Sequence, residues 1–161
     1  MFKILFVCTG NTCRSCMADA LYNKHAAEAG RASDTSASSA GLFTRDGLPA
    51  SSLAQKVMAE GHGLDISAHR SRKTTPEIIA EADLVIGVTR EHAEILAERY
   101  PEAKYKIWSA ADYIKCTKPS LYDGETDVGD PYGYAMEAYS GCASLLDSMT
   151  GKLFAIVCDL L

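Results

Sequence analysis

Cys8 and Arg14 bound a short polar stretch, Cys8-Thr9-Gly10-Asn11-Thr12-Cys13-Arg14, and the pair defines a chemistry. A thiol is a nucleophile in its thiolate form. A guanidinium grips two phosphate oxygens through parallel N–H bonds, which an ammonium does not. Between them, the backbone N–H groups of a tight loop turn inward as an anion-binding nest, reinforced by the positive end of a following helix. That field favours a thiolate at Cys8. A nucleophile, a phosphate cradle running from Thr9 to Ser15 and a clamp in one loop imply phosphoryl transfer through a cysteinyl-phosphate. Ser15 carries a hydroxyl suited both to capping the helix and to donating a hydrogen bond to the sulfur.

Such a loop needs a rigid strand before it and a helix after it. Residues 3–8 are apolar after Lys3 and predict a short buried strand, and residues 17–29 predict a helix. A second strand is expected over 33–40, leaving through Ser38-Ser39-Ala40-Gly41. Residues 53–60 read as a helix stopped by Gly61 and Gly63. Thr75-Pro76 opens another helix, with proline in its first turn. Residues 82–88 form an apolar run of the buried parallel-strand kind. Residues 91–99 predict a helix ending at Pro101, 106–108 a short strand and 115–129 a long polar loop. Residues 134–161 carry helical periodicity with a kink or break expected near Thr150-Gly151. This alternation predicts one α/β domain over 1–161, a parallel four-stranded sheet with helices on both faces. Ligands of such sheets bind at the carboxyl ends of the strands, where the Cys8 loop leaves the first strand.

A chain of 161 residues buries a sizeable core without disulfide staples. Its net charge of −5 disfavours nonspecific binding to nucleic acid or to an anionic membrane. The first residues lack the pattern of a signal peptide, and no apolar run approaches ~20 residues. A cytoplasmic protein without a membrane segment is expected, with a monomer as the default state. Three of the six cysteines, Cys8, Cys13 and Cys16, crowd into one loop while the others are scattered. Free thiols are expected, with redox chemistry confined to the loop.

The stretch from Cys8 to Ser15 resembles the signature loop of the low-molecular-weight protein tyrosine phosphatase family. The resemblance continues through Ser39-Ala40-Gly41-Leu42, Leu64-Asp65-Ile66-Ser67-Ala68-His69-Arg70-Ser71, Ala82-Asp83-Leu84-Val85-Ile86 and Asp130-Pro131-Tyr132-Gly133. It therefore spans essentially the whole chain. It implies Cys8 as nucleophile, Arg14 as clamp and Asp130 as general acid. Asp130 would protonate the departing oxygen or nitrogen and then, as carboxylate, activate the hydrolytic water. Asp123 and Asp127 lie in the same loop, and Pro131, which stiffens the backbone, distinguishes Asp130. The resemblance further implies that Asn11 holds the loop by bonding Ser39 and His69, His69 being scaffold and not base. His25, His62 and His92 have no such logic and are expected at the surface. Cys13 is either a reversible disulfide partner for Cys8, as the resemblance implies, or a small buried thiol. The implied partner is a phosphorylated protein. No metal or organic cofactor is implied, because Arg14 and the loop amides neutralise the phosphate.

Cys16 departs from a pattern that has proline at this turn. It completes Cys13-Arg14-Ser15-Cys16, a spacing that also serves thioredoxin-like exchange or half a zinc site. A second pair at zinc spacing is lacking, and a thioredoxin-like pair would stand at the strand end. Cys16 thus bears on redox behaviour, as a partner for Cys8 or Cys13, more than on catalysis. Thr12 together with Asp130-Pro131-Tyr132-Gly133 resembles the protein arginine phosphatase branch. A threonine hydroxyl would orient the attacking group or contact a guanidinium. Tyr132 would stack on a guanidinium or on a phenol. Tyr134 would supply a second aromatic wall, unless either tyrosine simply starts the last helix. Phosphoarginine is the favoured substrate and phosphotyrosine the alternative. An arsenate reductase of the same fold is disfavoured by the lack of any cysteine between Cys16 and Cys116. A non-enzymatic anion-binding domain is disfavoured by the joint presence of Cys8, Arg14 and Asp130.

Overall fold

A computed structural model of the chain describes residues 1–124 and 126–161, so that residue 125 of the expected polar loop lies outside the described residues. β1 (Phe2–Cys8) is apolar at successive positions because both its faces are covered. Ile4 and Phe6 enter one core and Leu5 and Val7 the other, following the two-residue period of a strand. β2 (Thr35–Gly41) and β3 (Leu84–Gly87) flank β1 in parallel, and β4 (Ile107–Ser109) pairs with β3. The strand order is β2-β1-β3-β4.

The helices are α1 (Arg14–Glu28), α2 (Ser52–His62), α3 (Pro76–Glu81), α4 (Arg90–Arg99), α5 (Ala110–Thr117) and α6 (Met136–Leu160). Met17, Leu21 and Tyr22 of α1 pack with Leu146, Met149 and Leu153 of α6 over one sheet face. Ile79 of α3 and Leu96 of α4 cover the other. The side chains of Ser51, Thr75, Thr89 and Ser109 each accept an N–H from the first turn of α2, α3, α4 and α5. Successive connections pass to opposite sides of β1, so the chain leaving Cys8 sits at the switch in strand order.

Four expectations need correcting. α1 begins at Arg14, earlier than expected, because the loop turns directly into the helix. Gly61 lies inside α2, and Gly63 alone, at φ 66°, makes the left-handed stop. The expected loop over 115–129 opens with the end of α5, held by the buried Ile114 and the Ser109 cap. α6 runs unbroken through Thr150-Gly151. Its buried stripe from Tyr139 to Val157 is continuous, which outweighs the ~1 kcal/mol cost of an interior glycine. Gly151 is where the His25 ring approaches, 3.4 Å from where a Cβ would stand. α6 is also long and apolar enough to cross a membrane by composition, although no such span was expected. In the fold that apolar stripe faces the core, against α1.

Candidate active site

Cys8 ends β1 with its side chain buried. Its sulfur lies 3.0 Å from the Ser15 hydroxyl and 3.3 Å from the backbone nitrogen of Asn11, which donates to it. Asn11, at φ 56°, is the only non-glycine residue with positive φ among the described residues. That left-handed turn is what swings the loop amides inward. Gly41 lets the loop pack this closely, since a Cβ there would stand 2.9 Å from the Thr9 carbonyl oxygen.

Asn11 is wholly buried and every polar group of its side chain is used. Its Nδ2 donates to Ser15 Oγ at 2.8 Å, and its Oδ1 accepts the backbone N–H of Arg72 at 3.0 Å. The first bond occupies a lone pair of Ser15 and leaves the O–H to point at the Cys8 sulfur. The His69 ring donates through Nε2 to the Asn11 carbonyl at 2.7 Å. Burial holds the His69 pKa below its ordinary value, which suits a neutral scaffold.

Two expectations about this support differ. The serine bonded to Asn11 is Ser15, and Ser39 reaches the loop only at one remove. The Ser39 hydroxyl donates to Asp19, while its carbonyl accepts Arg72 Nε at 2.9 Å. Ser39 is paired in register with Phe6, two residues short of the loop, which puts Asn11 out of its reach. Ser15 caps nothing: Cys13 is the N-cap of α1 and no side chain caps that end. The free amides there remain available to an anion. Asp19 is half-buried, and desolvation raises its pKa to about 7 against the pull of the Ser39 hydrogen bond and of Arg72.

Arg14 is buried. Its Nη1 donates to the Val128 carbonyl at 3.0 Å, and its Nη2 lies 3.6 Å from Asp130 Oδ2. Asp130 is half exposed, and its Oδ1 accepts the Tyr132 N–H at 3.0 Å. Cys8, Thr12, Arg14, Asp130 and Tyr132 line one cavity of 220 Å³ together with Thr9, Gly10 and Cys13. The other two loop aspartates are engaged elsewhere: Asp127 accepts the Arg90 N–H at 2.8 Å, and Asp123 pairs with Lys152 at 2.7 Å. Tyr134 does not line this cavity. It borders a neighbouring depression with Pro131 and Cys142, and both tyrosines precede the start of α6.

The other two thiols of the loop are packed. Cys13 Sγ faces Ser51 Oγ at 3.4 Å and the Tyr139 hydroxyl at 3.6 Å. Cys16 Sγ donates to the Cys13 carbonyl at 3.2 Å, and burial pushes this thiol's pKa up.

His92 was expected at the surface and is buried. It bridges Thr9 Oγ1 and Thr89 Oγ1, each at 2.9 Å, and so fastens the loop to the start of α4. Burial, helped by the Arg14 charge, lowers its pKa to about 4. The Thr89-x-x-His92 helix start was the available signal. His25 and His62 are half-buried as well, His25 contacting Asp147 at 3.0 Å. Phe43 and Arg99 were missed without any local signal. The Arg99 guanidinium lies 4.6 Å over the Phe43 ring beside the cavity.

This geometry can seat a tetrahedral anion with its oxygens on Arg14 and the loop amides, a sulfur behind its central atom and a carboxyl group at the mouth. The sequence model described as low molecular weight phosphotyrosine protein phosphatase matches residues 3–159. A protein-arginine-phosphatase of Geobacillus stearothermophilus is 37% identical over 152 residues, 94% of this chain and 93% of that one. A low molecular weight protein tyrosine phosphatase from T. tengcongensis superposes with a TM-score of 0.86 at 38% identity, over 96% of this chain and 99% of that one. A second structure is a YwlE arginine phosphatase, a cysteine-to-serine mutant with a phosphorylated active-site serine. It superposes with a TM-score of 0.84 at 29% identity, over 96% of this chain and 94% of that one.

Proposed function

The chain belongs to the low molecular weight phosphotyrosine protein phosphatase family, and on that premise we propose that it hydrolyses phosphoarginine in a protein substrate through a cysteinyl-phosphate on Cys8. The observation that carries this is the cavity that Cys8, Thr12, Arg14 and Asp130 line together. Arg14 and the loop amides hold the phosphoryl oxygens. The Cys8 thiolate attacks phosphorus, the bond from phosphorus to the guanidine nitrogen breaks, and Asp130 gives its proton to that nitrogen. The Asp130 carboxylate then takes a proton from water, whose oxygen attacks phosphorus. The phosphorus–sulfur bond breaks, the thiolate is restored and inorganic phosphate leaves. The phosphorylated active-site serine of the structural relative supports a covalent intermediate.

Two things support arginine as the substrate residue. Thr12 is a short, hydroxylated wall that leaves room for a forked, polar guanidinium. The arginine phosphatase relative is similar over nearly the whole chain. Phosphotyrosine is the second reading, favoured by the exposed Tyr132 ring at the cavity and by the tyrosine phosphatase relative. The test is hydrolysis of matched phosphoarginine and phosphotyrosine peptides by reduced protein, with Cys8→Ser as blank. A phosphoarginine preference that Thr12→Ile weakens is expected. A phosphotyrosine preference indifferent to Thr12→Ile would overturn the arginine assignment, and no Cys8-dependent turnover of either would overturn both.

A further inference from the structure

A groove of 1010 Å³ adjoins the catalytic cavity, and Gly10 and Thr12 of the phosphate loop line both. Although the chain is acidic overall, this groove is cationic. Arg45, Lys73 and Arg99 line it, and none of the three makes an ion pair among the described residues. Arg99 is fixed in place. Its Nη1 donates to the Leu42 carbonyl at 2.8 Å and its plane covers Phe43, so its other N–H donors project without further ordering cost. The one carboxylate bonded at this rim, Asp46, accepts the backbone N–H of Lys73 at 2.8 Å and leaves the Lys73 ammonium unpaired. Below them Thr74 is buried, and its Oγ1 has no hydrogen-bond partner among the described residues. Three cations without carboxylate partners leave this rim without counter-charge.

We propose that this groove is a substrate subsite that takes carboxylate side chains flanking the phosphorylated residue. The proposal rests on the phosphatase reading above, because the shared loop residues make the groove continuous with the cavity that would hold the phosphoryl group. The occupant is a stretch of substrate chain with Asp or Glu next to the phosphorylated position. Its carboxylates meet Lys73, Arg45 and the outward face of the Arg99 guanidinium. Rim charge pairs of this kind select partners and are weakened by salt.

The experiment compares kcat/KM for two peptides that share a central phosphoarginine, one flanked by glutamates and one by lysines, with a phosphotyrosine pair run alongside. Wild-type protein is expected to favour the glutamate peptide by about fivefold or more at low salt, mainly through KM. The double variant Arg45→Glu/Lys73→Glu is expected to remove or invert that preference. Because each protein is read as a ratio between two peptides, any general loss of activity cancels. A wild-type ratio near one, or a ratio the double variant leaves unchanged, would overturn the subsite. If no peptide is turned over, the phosphatase reading has failed by itself. The groove is then decided by titrating isotope-labelled wild-type protein with unphosphorylated tetra-aspartate. Salt-sensitive amide shifts at Thr44, Arg45, Lys73 and Thr74 support the subsite, and their absence overturns it.

Discussion

The side-chain carbonyl of Asn11 accepts the backbone N–H of Arg72 at 3.0 Å, tying the left-handed residue of the phosphate loop to a segment 61 positions further on. Since Asn11 also holds Ser15, one buried amide sets both the loop's curvature and the hydroxyl that faces Cys8.

Asn11→Ala removes both bonds and leaves an alanine at positive φ. Two buried hydrogen bonds at about 1 kcal/mol each, with about 1 kcal/mol of backbone strain, predict a destabilisation of about 3 kcal/mol. Urea unfolding measures it. Turnover should fall at least tenfold even where the variant remains folded, and a stable, fully active variant would mean the loop holds its shape without this residue.

Ser15→Ala separates support of the sulfur from support of the fold. It takes away the hydroxyl 3.0 Å from Cys8 and strands the Asn11 amide that donated to it. A loss of about 1–3 kcal/mol in stability is expected from the unsatisfied donor. The accompanying fall of roughly tenfold to hundredfold in kcat should come with little change in KM, since Arg14 and the amides still hold the phosphate. Steady-state kinetics on one phosphopeptide decide this.

Asp130→Asn should behave in the opposite way. Asp130 is half exposed and 3.6 Å from Arg14, a geometry that contributes less than ~0.5 kcal/mol to stability. Thermal unfolding should therefore barely change. The first step, read as pre-steady-state release of the leaving group, should slow about 100-fold on a substrate with a basic leaving group, and on a nitrophenyl phosphate, whose leaving group needs no proton, much less. Equal losses on the two would remove Asp130 from the acid role.

What could be seen in the sequence is what is local. The apolar run of β1, the polar loop and the start of α1 are contiguous, so Cys8, the loop amides and Arg14 were visible together as a candidate site, and Asp130 came from the family resemblance, with Pro131 marking it among the loop aspartates. The rest depends on chain pairing. Register sets Ser39 opposite Phe6 and gives its hydroxyl to Asp19. The packing of α4 against the loop buries His92, and no spacing connects Thr9 to a histidine 83 positions away. α5 was missed because its eight residues bury only Ala110 and Ile114. The break expected at Gly151 ignored the helix that packs across it.

Asp19 and His92 predict a pH dependence that neither shows alone. Burial raises Asp19 from 3.8 to about 7 in the folded protein. Between those values the native state keeps a proton that the unfolded chain has released, so this group makes stability fall as pH rises. His92 is lowered from 6.5 to about 4. Over that interval the unfolded chain takes up a proton that the native state refuses, so this group makes stability rise with pH and lose ground as pH falls below 6.5. The two slopes oppose each other across their shared window. Asp19→Asn keeps an acceptor for Ser39 but cannot ionise, and it should expose the His92 slope. Stability is expected to climb between pH 4 and 6.5 by up to about 1.4 kcal/mol per unit, then level off. His92→Gln should expose the Asp19 slope, with stability declining from pH 4 towards 7. Urea titrations of the three proteins across this range test the pair, and parallel curves for all three would show that neither group titrates as its surroundings dictate.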